Sequence, residues 1–146
     1  MTALLSIQNL SVSFSVGSDV QKVVSDVSFT VGKGETIGLV GESGSGKSVT
    51  ARSIMQLLSP NAHVHPESRI LYLGENLLEK SEKDMRSVRG KDISMIFQDP
   101  MTSLNPTMTL GKQISETIRY HEKVSEKEAE KKAKEMMTHV GITDVD

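Results

Sequence analysis

Eight consecutive residues, Gly41-Glu42-Ser43-Gly44-Ser45-Gly46-Lys47-Ser48, fit the pattern G-x-x-x-x-G-K-[ST]. Each part of this pattern has a physical use. A loop that wraps a phosphate must turn its backbone N–H groups inward, and glycines permit the backbone angles and the close approach. A helix that starts near Lys47 would aim its positive end at the same point. Lys47 would add a mobile positive charge between the β- and γ-phosphates, and the Ser48 hydroxyl suits Mg²⁺, which prefers hard oxygen ligands. A chance match in a chain of 146 residues is on the order of one in a hundred or less at ordinary glycine usage, so the loop is read as a phosphate site. The loop alone does not choose among kinases, GTPases and transport ATPases.

A second group with chemistry within reach is Gln98, at the end of the apolar run Ile93–Phe97. A glutamine placed beside a nucleotide can ligate Mg²⁺ through its amide oxygen and orient a water for in-line attack. Equally, it can be an ordinary polar residue that closes a strand. His63 and His65, in the polar stretch Asn61–Glu67, have the types to bind a metal. With no third ligand in sight, a solvated loop accounts for them better.

The surrounding sequence predicts the elements that must position these groups. Leu5, Ile7, Leu10, Val12 and Phe14 alternate with polar residues and predict a half-buried strand over Leu4–Phe14. Gly17-Ser18-Asp19 is a turn signal, and Val20–Val31 predicts a strand that pairs back on the first. Thr36–Val40 is short, apolar and uncharged, the pattern of a strand buried on both faces of a parallel sheet. Helical spacing of Ala51, Ile54, Met55 and Leu58 predicts a helix over Val49–Leu58, directly after the loop and stopped by Ser59-Pro60. Arg69–Leu73 reads as a strand, Ser81 as the cap of a short helix closed by Gly90, and Ile93–Phe97 as another buried strand. Thr109 opens a helix to about Tyr120. Ser125-Glu126-Lys127-Glu128 is a capping box for a last helix that reaches Val140, with Val124 placed to pack on Ala129 and Gly141 as the stop. Pairs Glu128–Lys132 and Glu130–Lys134 mark an exposed face of that helix.

Composition narrows the function classes. Hydrophobic residues are 36% and charged residues 25%, the balance of a globular protein. A net charge of −2 and only 3% aromatic residues give neither an electrostatic footprint nor stacking platforms for nucleic acid. Without cysteine there is no disulfide framework and no thiolate metal site. No apolar run approaches the ~18 residues that span a bilayer, and Met1–Leu10 lacks the basic start of a signal peptide.

The phosphate loop followed by Phe97-Gln98-Asp99-Pro100 resembles the Walker A and Q-loop pair of ABC ATPases. The continuation QDPMTSLNPTMTLGKQI, together with LLSIQNLSVSF and GETIGLVGESGSGKSVTARSIMQLL, is similar to the ATP-binding subunits of importers for dipeptides, oligopeptides and nickel. The resemblance covers essentially the whole chain. It implies an α/β P-loop NTPase with an N-terminal antiparallel β-subdomain and P-loop core over residues 1–98. Residues 99–146 would be the Q-loop and the first part of a helical subdomain. It implies that Gly41, Glu42, Ser43, Gly44, Ser45, Gly46, Lys47, Ser48 and Val49 hold ATP, that Ser48 and Gln98 hold Mg²⁺, and that Gln98 senses the γ-phosphate. Phe14 is the candidate for stacking on adenine, a buried core residue being the other reading. The implied partners are a second ATP-binding subunit, membrane permease subunits received by the Gln98–Val140 region, and indirectly a solute-binding protein. The implied place is the cytoplasmic face of the inner membrane.

The family's signature motif, its Walker B strand with the catalytic glutamate, and its switch histidine do not occur in these residues; His63, His65, His121 and His139 all precede the expected signature position. The expectation is therefore an N-terminal fragment of an energy-coupling ATPase, with little turnover by itself. A non-catalytic nucleotide-binding module or regulator, and a small P-loop kinase, are the competing readings.

Overall fold

The computed structural model describes residues 3–99 and 104–142. The chain falls into two compact units, one up to Arg86 and one from Ser87.

The first unit is built on a β-hairpin. Strand β1, Leu5–Val16, runs antiparallel to β2, Asp19–Val31. Gly17, with φ 63°, supplies the left-handed residue of the tight turn between them. The other edge of β1 is shared. Its first half pairs with β4, Arg69–Tyr72, and its second half with β3, Ala62–Val64. A short β5, Glu75–Asn76, adds to β4, giving the order β2-β1-β4-β5 with β3 beside β1.

The inward set of this sheet (Ile7, Leu10, Val12, Val24 and Ile70) is buried and is joined by Leu77, Met85 and Met55 from the elements that pack on it. The β1–β2 ladder slips register between Ile7 and Ser13, and Asn9 and Asp26 there take φ 51°. Irregular strand backbone needs substitute hydrogen-bond partners. Serines provide them. Asn9 N–H donates to Ser28 Oγ at 2.8 Å, and Asp26 N–H donates to Ser11 Oγ at 2.9 Å. The buried Ser68 hydroxyl accepts from Ser11 N–H and donates to Asn9 O, each at 3.1 Å.

Two expected strands are corrected. Thr36–Val40 and Ile93–Phe97 belong to no named strand, and the strand pairing of Ile93 is only an isolated bridge to Arg89. Val40 is 93% exposed and Ile96 99% exposed. A strand of a parallel sheet exists only where neighbours complete its backbone hydrogen bonds on its edges. Among the described residues no strand runs beside either segment. The stretch Asn61–Glu67, expected as a loop, carries β3, which is too short to leave an alternation pattern.

Helix α1, Lys47–Ile54, follows the glycine-rich loop and buries Thr50 and Ser53. A 3₁₀ turn, Leu77–Glu79, and α2, Glu82–Val88, follow β5. Ser81 Oγ accepts from Asp84 N–H at 3.2 Å, as the cap signal predicts.

The second unit holds a helical hairpin, α3 Leu110–Glu122 and α4 Glu126–His139. Thr109 and Ser125 are the N-caps, accepting from Lys112 N–H and Glu128 N–H. Ile118, Ala129 and Ala133 form the seam, with Ile114 and Val124 packed against it. The two alanines let the helices approach closely. Lys132 reaches across to Glu122 of α3 rather than pairing with Glu128 on its own helix. Among the described residues no helix is long and apolar enough to cross a membrane.

Candidate nucleotide phosphate site

The site is built where the β-hairpin hands over to α1. After β2 the chain turns at Lys33-Gly34, passes through Thr36–Val40 without regular structure, and enters the loop 41–48. A local turn, Ser45 N–H to Glu42 O at 3.2 Å, coils the middle of this loop.

One glycine, Gly46, is demanded by the geometry, and Gly41 lies close to a side chain that a Cβ would displace. A Cβ on Gly41 would meet Ser45 Oγ at 2.5 Å. Gly46 is buried, has φ +91°, and is the N-cap of α1. A Cβ there would lie 2.9 Å from Val23 O and 3.0 Å from Val24 Cγ2, so the start of α1 sits directly against β2. We expect Gly46→Ala to destabilise the first unit by about 1–3 kcal/mol, since left-handed backbone and a contact with a carbonyl are both imposed on the new side chain. A lowered urea midpoint measures this, and an unchanged midpoint would contradict the packing.

Because the N-cap is glycine, no side chain caps α1, and its first turn carries no acidic residue. The first helical hydrogen bond is Thr50 N–H to Gly46 O at 2.8 Å. The N–H groups at the start of α1 precede that bond and are open to an anion, with the helix dipole in the favourable sense.

Lys47 lies over this loop. Its ammonium donates to Gly41 O at 2.8 Å, Glu42 O at 2.6 Å and Ser45 Oγ at 3.3 Å. One cation therefore ties both ends of the glycine loop together, at the helix start where the free N–H groups lie. Ser48, next along α1, is exposed, while Val49 is half-buried. Glu42, Ser43, Gly44 and Ser45 are exposed along the rim of the loop.

The other predicted site residues are placed as follows. Phe14 is half-buried on β1, between Gln21 of β2 and Ala62 of β3. Gln98 belongs to the second unit and is exposed at a bend after Phe97. His63 and His65 face β1, where their Nε2 atoms lie 2.9 Å from Ser15 Oγ and from Ser13 Oγ respectively. Sequence reasoning missed the floor of the loop, Val23 and Val24. Nothing in two adjacent strand valines signals contact with a helix N-cap.

The arrangement can bind a terminal phosphate: positive-φ glycines, an uncapped helix start and one lysine converge on it. The ABC transporter family model matches residues 24–146. The chain is 51% identical over 144 residues to a dipeptide transport ATP-binding protein of Bacillus subtilis, covering 99% of this chain and 43% of that protein. It is 50% identical over 143 residues to an oligopeptide transport ATP-binding protein of the same organism, covering 97% and 40%. A solved dimeric ATP-binding cassette bound to ADP and Pi superposes with a TM-score of 0.76 at 19% identity, over 96% of this chain and 58% of that one. The chain thus spans about two fifths of the length of these curated relatives. With a glycine loop closed by its lysine at the head of α1 and a family match over most of its length, the chain belongs to the ABC transporter family.

Proposed function

We propose that this chain is part of the ATP-binding, ATP-hydrolysing subunit that drives an importer for peptides. The observation that carries the reading is Lys47 held across Gly41 and Glu42 at the uncapped start of α1. The similarity to dipeptide and oligopeptide transport proteins supports the choice of cargo.

In this reading the N–H groups of the loop and of α1 receive the β-phosphate. Lys47 exchanges its loop carbonyls for β- and γ-phosphate oxygens, which lowers the cost of holding the charged tail in place. Ser48 and Gln98 offer the hard oxygen donors that suit Mg²⁺, which when bound would neutralise charge on the phosphate oxygens. Phe14 would flank the base, and Gln98 would orient the attacking water. The reaction is attack of water on the γ-phosphate, with ADP as leaving group, and the protein positions and stabilises charge rather than forming covalent bonds.

A second ATP-binding subunit and a membrane permease are the proposed partners, which would place the whole protein at the inner face of the membrane. Support for permease docking lies in the second unit. There an open groove is walled by Leu104, Met108, Ile114, Ile118 and Met136, an apolar surface suited to one face of a short helix.

The test is a chimera in which these residues replace their counterparts in the Bacillus subtilis dipeptide transport ATP-binding protein. We expect the chimera to sustain dipeptide uptake in cells that lack the native subunit, and to lose it on Lys47→Ala. A chimera that accumulates at normal levels, assembles at the membrane and drives no uptake would overturn the assignment.

A further inference from the structure

We propose that His63 and His65 form a two-imidazole site for a divalent transition metal, with Cu²⁺ the preferred ion, on the shared face of β1 and β3. The sequence alone places both residues in a polar stretch with nothing to order them. The structure places them on a strand. His63 is within β3 and His65 directly follows it, still held to β1 by His65 N–H donating to Ser11 O at 3.0 Å.

Residues two apart on a strand point to the same face, roughly 6.6 Å apart at their backbones. The side-chain contacts agree. His65 Nε2 lies 2.9 Å from Ser13 Oγ, and His63 Nε2 lies 2.9 Å from Ser15 Oγ. Both rings therefore lean the same way along β1, with the same nitrogen toward a serine hydroxyl. The floor is fixed, since Ser13 is buried, whereas His63 is exposed and His65 half-buried, so an ion has a path from solvent.

A single ion bonds imidazole nitrogen at about 2.0–2.1 Å. Reaching that distance asks the two rings to tilt toward each other by side-chain rotation, with no change in the backbone ladder. Each nitrogen then exchanges a hydroxyl for the metal. Neutral imidazole selects copper, nickel and zinc over magnesium and calcium, and among these the affinity order favours Cu²⁺. Among the described residues no group of three or more His, Cys, Asp or Glu side chains is placed to hold an ion, so the protein offers these two imidazoles alone. Water completes the coordination, and the site differs in residues and in chemistry from the phosphate loop.

The experiment is titration of CuCl₂ into the 146-residue chain near neutral pH in a non-coordinating buffer, read by calorimetry and electron paramagnetic resonance. We expect one ion per chain with two imidazole nitrogens in its coordination plane. His63→Ala and His65→Ala should each weaken binding by about tenfold or more, since even outer-shell changes cost about that much. His121→Ala and His139→Ala should leave it unchanged. Ser13→Ala and Ser15→Ala keep both imidazoles and should keep binding. Unaltered affinity in a His63→Ala or His65→Ala chain with a native circular dichroism spectrum would refute the site. If either alanine variant misfolds, the unmodified chain still decides the matter: paramagnetic broadening must centre on the rings of His63 and His65, and broadening centred elsewhere sinks the proposal.

Discussion

Replacing Lys47 by alanine is expected to weaken binding of Mg-ATP by about tenfold to a hundredfold while leaving the fold intact. The magnitude follows from the kind of bond at stake. A hydrogen bond to a charged group contributes about 1.5–3 kcal/mol, and each 1.4 kcal/mol is a factor of ten. Stability should hardly change. The Lys47 acceptors Gly41 O and Glu42 O belong to exposed residues, so water replaces the lost donor at little cost, within about 0.5 kcal/mol. This separates Lys47 from Gly46, whose replacement strains the backbone and should lower stability as well as affinity. Lys47→Arg should not rescue, because a rigid planar fork cannot occupy the place of a point charge among two carbonyls and a hydroxyl. Fluorescence titration with a labelled ATP analogue, beside urea unfolding of the same preparations, reads both quantities. Equal affinity for the wild-type and Lys47→Ala chains would remove the phosphate site and the function built on it.

The parts of this molecule that were legible in its sequence are those whose cause is local. The glycine loop is set by residue type and spacing, and Lys47 donates to two of its carbonyls. The N-caps Ser81, Thr109 and Ser125 sit where a hydroxyl precedes a helical run, because a cap satisfies N–H groups two or three residues away. The β1–β2 hairpin follows from alternation on either side of Gly17.

What could not be read depends on partners distant in the chain. Strand β3 is three residues long and exists because the second half of β1 offers it a free edge. The contact of Gly46 with Val23 and Val24 joins residues whose proximity no periodicity reports. Lys132 of α4 pairs with Glu122 of α3, a partner that spacing along a single helix does not report. The opposite failure, at Thr36–Val40 and Ile93–Phe97, has the same root. Both segments are apolar, but a buried strand is a property of a sheet, and among the described residues no strand pairs with either.

Residues 1–146 by themselves are expected to hydrolyse ATP far below about 1 s⁻¹, a rate common for enzymes, even where they bind it. The loop is entered from Thr36–Val40, and the candidate water-positioning residue Gln98 ends Ile93–Phe97. Among the described residues no sheet holds either segment, and Ile37, Leu39, Val40, Ile96 and Phe97 all present apolar surface to solvent. Catalysis by positioning fails when the groups are not fixed, because a misplacement of about 1 Å can cost a hundredfold. Apolar segments that are open in this way also bind hydrophobic dyes and favour self-association. The relatives are more than twice as long as the aligned stretch, so the proposed remedy is more polypeptide rather than a changed loop. Steady-state phosphate release should therefore be near background for residues 1–146, together with strong dye fluorescence. In the dipeptide-transporter chimera the turnover should appear and the fluorescence fall. Brisk turnover by residues 1–146 alone would show that order in these two segments is not required, and that the site is already complete where it stands.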